Sequence, residues 1–438
     1  MRRLSSTIVL ILVFAGLVGY IYFVDSKQDA SDAETKEKVF ASLTADDIEE
    51  LQVKRADGDT ARLRKTDGKW QLVEPAEAAA DESEASSIIS SLVSLEMNRV
   101  VDEKAADFAQ YGLEPARIDV GFRKKGDTSL QRILIGEKTP TGSDLYARVP
   151  DEPRVFLIAS YLDSTFNKDS FTLRDRRILV FDQNAVDGLE LLTGTSKIQL
   201  AKSGSEWRLT SPFSSRADFA AVEGALGRLS STQMQGIVDP QGADQAKYGL
   251  QKPSGTITVI AGSSRATLTL GATDNALLFA RDSSRPMVFT VAPVLKDDVI
   301  RSVADFRRKD LFDGRAFTTT RVEFKRGAET LAIEKTKGKD DTDTWRNASG
   351  QDLDSAKVDG LLSNVTGLRA QSFEERIHPS LTAPALVVTL SFDEKKQDVV
   401  TFARSGADVF ASRSDEPGTA KLDAAGLDEV MKALDALK

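Results

Sequence analysis

Few residues in this chain have the type and spacing for chemistry, and they are scattered. Its single histidine is His378, followed at once by Pro379, and there is no cysteine. Imidazole acid–base catalysis, or a nucleophile supported by imidazole, would have to run through His378. No G-x-S-x-G turn accompanies it, so it reads as a loop residue. The lack of cysteine excludes disulfides, thiolate catalysis, Cys-held zinc and a lipid-modified N-terminal Cys. H-E-x-x-H is missing as well. The run Asp340-Asp341-Thr342-Asp343 looks like half a calcium loop. Counted from Asp341, however, an EF-hand needs Gly where Arg346 stands and a bidentate Glu where Asp352 stands. It reads as a solvated hairpin tip. No glycine-rich phosphate loop occurs; a carboxylate-based hydrolase stands as a third reading, which needs two acids converging in one cleft, a feature that linear spacing does not reveal. The reading is of a chain that is not an enzyme, with no catalytic, cofactor or metal site.

Two basic clusters remain, Arg174-Asp175-Arg176-Arg177 and Arg307-Arg308-Lys309-Asp310. Each is expected at the end of a closing helix, where cations complement the helix C-terminus and can pair across a junction between units. Arg174, Arg176, Arg177, Arg307, Arg308 and Lys309 are also the candidate docking residues for an acidic partner or lipid headgroups.

The elements that must position these residues follow a long internal period. Gly68-Lys69-Trp70-Gln71-Leu72-Val73-Glu74-Pro75 returns as Ser205-Glu206-Trp207-Arg208-Leu209-Thr210-Ser211-Pro212 and, worn down, as Asp343-Thr344-Trp345-Arg346. The only three tryptophans thus fall 137 and 138 residues apart. A fixed period decides whether a feature belongs to a site or to a scaffold, and a tryptophan held in register with a strand reads as core. Two strands lead into each tryptophan: Ile48-x-x-Leu51-x-Val53 recurs as Val186-x-x-Leu189-x-Leu191 and Thr319-x-x-Val322-x-Phe324. A helix opened by Asp81, Asp218 or Asp354 follows, with apolar residues at i, i+3, i+4 and i+7, beginning at Ala85, Val222 and Val358. Further strands and a closing helix complete each copy. Three such cores of ~130 to 150 residues suit a chain of 438.

The expected fold is therefore α+β: three tandem repeats, each a mainly antiparallel sheet with packed helices, over residues 39–178, 179–312 and 313–438, the last degenerate. Ahead of them, Leu4 to Val24 is 21 residues without a charge, which as a helix spans ~31 Å. With Arg2 and Arg3 before it, the expectation is a cytoplasmic N-terminus at residues 1–6, a transmembrane anchor at 7–24 that is not cleaved, a polar linker at 25–38, and the repeats outside the inner membrane. The formal charge of −9 argues against nucleic acid as a partner.

These phrases resemble a bacterial family, the domain of unknown function 4340. The residues that carry the likeness are Lys65 to Pro75, Tyr111 to Pro115, Ile135-Gly136 with Tyr146 and Arg148, and Arg174-Asp175-Arg176-Arg177; Tyr248-Gly249-Leu250 repeats the second of them. The third repeat lacks the Tyr-Gly pair and the Pro of the tryptophan phrase. What the resemblance implies is a membrane-anchored extracytoplasmic protein, encoded beside ABC exporters of the gliding-motility type and auxiliary to their permease and ATPase subunits. The function expected on that basis is a non-enzymatic accessory or scaffold subunit of such an exporter, with an envelope polysaccharide- or lipid-binding module as the alternative.

Overall fold

A computed structural model of the chain describes residues 37–337, 343–393 and 396–437. The expected anchor and most of the linker lie outside the described residues, as do Asp340, Asp341 and Thr342. Among the described residues no helix is long and apolar enough to cross a membrane. The chain divides into two compact units, Met1–Arg176 with the first sheet and Arg177–Lys438 with the second and third.

The first sheet has nine strands. From edge to edge they are Ala78–Ala79, Lys69–Glu74, Thr60–Thr66, Ile48–Arg55, Ile118–Lys124, Gln131–Lys138, Asp144–Arg148, Val155–Ala159 and Arg99–Asp102. Every pairing is antiparallel. Two four-stranded meanders thus meet through their first strands. Between them in sequence come helix Glu82–Val93 and the strand that crosses to the far edge. The second sheet repeats this order strand for strand, from Ser215–Arg216 to Gly236–Asp239; the third has eight strands and lacks a counterpart of the two-residue edge strand. Irregularities recur too, since the pairing of Ile48–Arg55 with Ile118–Lys124 slips register at Ile48/Glu50 and that of Thr319–Arg326 with Leu386–Phe392 slips at Thr319/Arg321.

The helices form where the apolar period places them. Glu82–Val93 buries Ala85, Ile88, Ile89 and Leu92, Phe219–Ser231 buries Val222, Ala225, Leu226 and Leu229, and Ser355–Thr366 buries Val358, Leu361, Leu362 and Val365. Each starts at the expected Asp, whose carboxylate accepts backbone N–H groups of the first turn. In repeat one the buried helical face joins Leu51, Val53, Leu63 and Trp70 in a single core.

Candidate functional site

The repeated motifs act within the fold. Trp70, Trp207 and Trp345 are 4%, 2% and 2% exposed. Directly across the hairpin from each stands a lysine, in the pairs Lys65↔Trp70, Lys202↔Trp207 and Lys335↔Trp345. Its ammonium lies 6.0, 5.5 and 5.0 Å from the ring centroid, within cation–π range. The longer hairpin of repeat three keeps this pair although five more residues separate its members. The Trp207 and Trp345 indole N–H groups donate to Glu223 (2.9 Å) and Asp359 (3.0 Å) on the helix above.

The Tyr-Gly loop and the Ile-Gly strand end are one device. Gly112 sits at φ +68°, and a Cβ on Gly136 would meet the Tyr111 carbonyl oxygen at 2.1 Å. Gly249 at φ +70° and Gly271 against the Tyr248 carbonyl, again 2.1 Å, repeat the arrangement. The loop tyrosine then packs on an aromatic ring of the next strand, Tyr111 on Tyr146 at 5.0 Å and Tyr248 on Phe279 at 4.9 Å. Repeat three rebuilds the corner with its histidine. The His378 ring stacks on Phe410 at 3.8 Å and 7°, and its Nδ1 accepts from the Ser380 N–H at 3.3 Å. The sole imidazole is a loop anchor and cap. Asp343, the one described member of the acidic run, pairs with Lys337 at 3.0 Å, and among the described residues no three His, Cys, Asp or Glu side chains gather in a metal-sized group.

For the basic clusters the structure corrects the expected setting. The helix Leu162–Phe166 stops well before Arg174, because Asp169 opens a separate turn by accepting from the Thr172 N–H (2.7 Å) and the chain then runs extended. Arg174 forms a β-bridge with Ala80, and the Arg176 guanidinium lies 6.0 Å from the Phe171 ring. In the second compact unit Arg177 bridges Gln233, and its carbonyl accepts from Arg285 at 2.7 Å. Arg307 follows a single turn, Val303–Phe306, and is already extended, bridging Ala217. Lys309 is exposed, and its carbonyl accepts from the Ala370 N–H at 2.8 Å.

Arg307 and Arg308 belong to a larger construction between the second and third sheets. Arg216, its side chain 5% exposed, donates from Nε to Glu416 (2.6 Å), from Nη1 to Asp313 (2.7 Å) and from Nη2 to the Asp310 carbonyl (2.8 Å). Arg307 reaches the other Glu416 oxygen at 3.3 Å and stacks over Phe373 at 4.0 Å. Arg413 donates to Asp398 (2.9 Å), Asp415 (2.9 Å) and the Leu311 carbonyl (2.6 Å), and Asp398 in turn accepts the Asp313 and Gly314 N–H groups. Arg308 closes on Asp313 at 2.7 Å.

Desolvation and pairing compete here. Burial pulls the Arg307 guanidinium below its ordinary value, and Glu416 offsets only part of that. Burial acts the same way on Arg413, but the hydrogen bond to Asp415 and the charges of Asp398 and Asp313 outweigh it and raise the guanidinium. Burial raises Asp313, yet Arg216, Arg413 and Arg308 together hold it below the usual carboxylate range. Beside the network opens a cleft of about 370 Å³ lined by Trp207, Arg216, Asp218, Phe219, Arg308 and Arg369. Phe219 is 53% exposed there.

Motif reading missed Arg216, Asp313, Asp398, Arg413 and Glu416, since they match no pattern. The available signal was departure from the repeat: Arg216 stands where repeat one has Ala79, and Arg413 and Glu416 stand where repeat two has Asp282 and Arg285, with the charges exchanged.

The family model described as "Domain of unknown function (DUF4340)" matches residues 70–206 and 207–387. The chain belongs to this family. Both matches begin at a tryptophan, so their starts keep the period but fall two strands into the structural repeat. No curated protein matches the chain in sequence. Among solved structures it is similar to DNA polymerase sliding clamps from Pseudomonas aeruginosa. One, with ligand, is 10% identical, with 88% of this chain and 93% of that chain covered and a TM-score of 0.16. Another, bound to griselimycin, is 10% identical, with 87% and 92% covered and a TM-score of 0.15. At such TM-scores the likeness carries no argument.

Proposed function

We propose that the protein is a membrane-anchored extracytoplasmic scaffold, the non-enzymatic accessory subunit of an ABC-type exporter. One observation carries the scaffold reading: the shared family residues are spent on the fold. Lysine meets tryptophan across a hairpin, glycine admits a tyrosine carbonyl, and tyrosine packs on an aromatic ring. Residues placed on a frame in this way hold a surface in position rather than act on a substrate. The buried ion network supports the same reading, because it fastens the second and third sheets through groups that cannot separate cheaply. The uncharged stretch Leu4 to Val24 behind Arg2 and Arg3 supports a single membrane span with the repeats outside the inner membrane. The exporter as partner rests on the family's resemblance alone.

The test is affinity purification of the tagged full-length chain from membranes in mild detergent, with residues 39–438 in parallel. Recovery of a permease and an ATPase with the full-length chain is the expected result, and recovery of neither contradicts the exporter assignment. A second reading, an envelope polysaccharide- or lipid-binding module, is favoured by the cleft, where the exposed Phe219 ring lies beside Arg308 and Arg369. Binding of an acidic glycan, weakened by Phe219→Ala, would support it.

A further inference from the structure

The strand-to-helix corner beside the tryptophan leaves one backbone donor to be met. In repeat one the Trp70 carbonyl accepts the Ala80 N–H at 3.2 Å, and the Trp70 N–H, pointing to the same side of the strand, donates to the Glu82 carboxylate at 2.7 Å. Glu82 is the first residue of its helix, directly after the cap Asp81. Repeat two builds the same corner: the Trp207 carbonyl accepts the Ala217 N–H at 2.9 Å, and Asp218 caps helix Phe219–Ser231 by accepting from the Ala221 N–H. Here, however, Phe219 stands where repeat one has Glu82 and repeat three has Ser355. With no carboxylate at that position, the Trp207 N–H has no acceptor among the described residues, an uncommon state for a buried amide.

Trp207, Ala217 and Phe219, the residues around this N–H, line the cleft of about 370 Å³, a size within the roughly 300–1,000 Å³ of small-molecule sites. Its lining charges cancel, with Arg216, Arg308 and Arg369 set against Glu206, Asp218 and Asp310. Arg308 is held by Asp313 at 2.7 Å and Arg369 by Asp310 at 3.0 Å. The cleft therefore has no excess of cation with which to attract a phosphate or a lipid headgroup. It has donors and acceptors side by side, which hydroxyl groups can bridge, and one amide placed for a carboxylate. It also has one aromatic face, the exposed Phe219 ring, on which the C–H face of a sugar can pack.

We propose that this cleft binds a sugar acid of a polysaccharide, a uronate whose carboxylate takes the Trp207 N–H as the Glu82 carboxylate takes that of Trp70. The sugar ring packs on Phe219, and its hydroxyl groups donate to Glu206 and Asp310 and accept from Arg369. Repeat one is the internal mimic, since its own side chain fills the place that the ligand takes in repeat two. The inference deepens the polysaccharide-binding reading and rests on it, and it is independent of the exporter assignment.

The probe is tetragalacturonate, with its methyl ester as the uncharged control, each titrated calorimetrically into the full-length protein in detergent. Saturable binding of the acid is expected, with the ester at least about tenfold weaker because it lacks the charged acceptor. Phe219→Glu supplies the carboxylate that repeat one carries. It should melt no lower than the parent, an acid in the first helical turn being favourable, and lose at least about tenfold in affinity for the acid. Phe219→Ala, which removes the ring and adds no charge, should weaken acid and ester alike. Equal binding of acid and ester overturns the carboxylate assignment while a polysaccharide module stands. Acid binding undiminished in both Phe219 variants overturns the cleft as the site, again with the module standing. Binding of neither sugar overturns the inference and the polysaccharide reading together.

Discussion

Repeat one has Ala79 and repeat two has Arg216 at the same point of the same two-residue edge strand, paired with Gln71 and Arg208 in the same register. Ala79 is exposed, whereas Arg216 is enclosed by Glu416, Asp313 and the Asp310 carbonyl. The backbone frame is thus indifferent to what this strand carries. What differs is whether a neighbouring sheet within the compact unit is fastened to it by charge. The residues that carry the family likeness lie in the frame, and the Arg216 network lies between the second and third sheets.

The comparison breaks most sharply at Glu416. Glu416→Ala leaves Arg216 and Arg307 buried without their shared carboxylate, and a loss of about 3–5 kcal/mol is expected in urea unfolding of the second compact unit. A substitution at Ala79 that keeps the strand paired should change stability by less than about 0.5 kcal/mol, since nothing buried depends on its side chain. Trp207→Phe keeps an aromatic ring but deletes half of the buried indole together with the N–H donated to Glu223; about 2–4 kcal/mol should be lost, read from the same transition. Asp354→Ala removes the carboxylate that accepts from the Ala356 and Lys357 N–H groups, and about 1 kcal/mol is expected. Acid sharpens the contrast between junction and frame. Asp310, Asp313 and Asp415 have folded values held below the ordinary one by their arginines, against the opposing effect of burial. Their contribution is therefore fully present above the unfolded carboxylate value and is lost as pH falls through the lower folded values. Stability of the second unit should be flat from neutrality to about pH 5 and drop below about pH 4, read by urea unfolding at each pH.

Much of the frame was legible in sequence because it is periodic. The tryptophan spacing marks the copies, and the i, i+3, i+4, i+7 rows name the buried helical faces residue by residue. The Tyr-Gly and Ile-Gly phrases were legible as motifs but not as one contact, since the approach of the Tyr111 carbonyl to Gly136 joins positions that only strand register brings together. The network was legible only at its margin: the Arg307-Arg308 cluster reads as cations that pair across a junction, whereas Arg216 and Glu416 are 200 residues apart, and charge carries no period. The basic clusters were misplaced because the cue for a helix end ignores Asp169 and Ser302, which start a new turn and send the chain out extended.

The Tyr-Gly loop and the strand-end glycine that receives it, Gly136 in repeat one and Gly271 in repeat two, serve the frame. Gly271→Ala tests this most directly, because Gly271 lies outside the ion network and its new methyl group would meet the Tyr248 carbonyl oxygen. A calorimetric scan of the full-length chain should show the transition of the second compact unit lowered by about 1–3 kcal/mol, the cost of overpacking a closed contact. A variant whose scan superimposes on the parent, yet which no longer recovers a permease and an ATPase from membranes, would mean that this contact serves recognition instead.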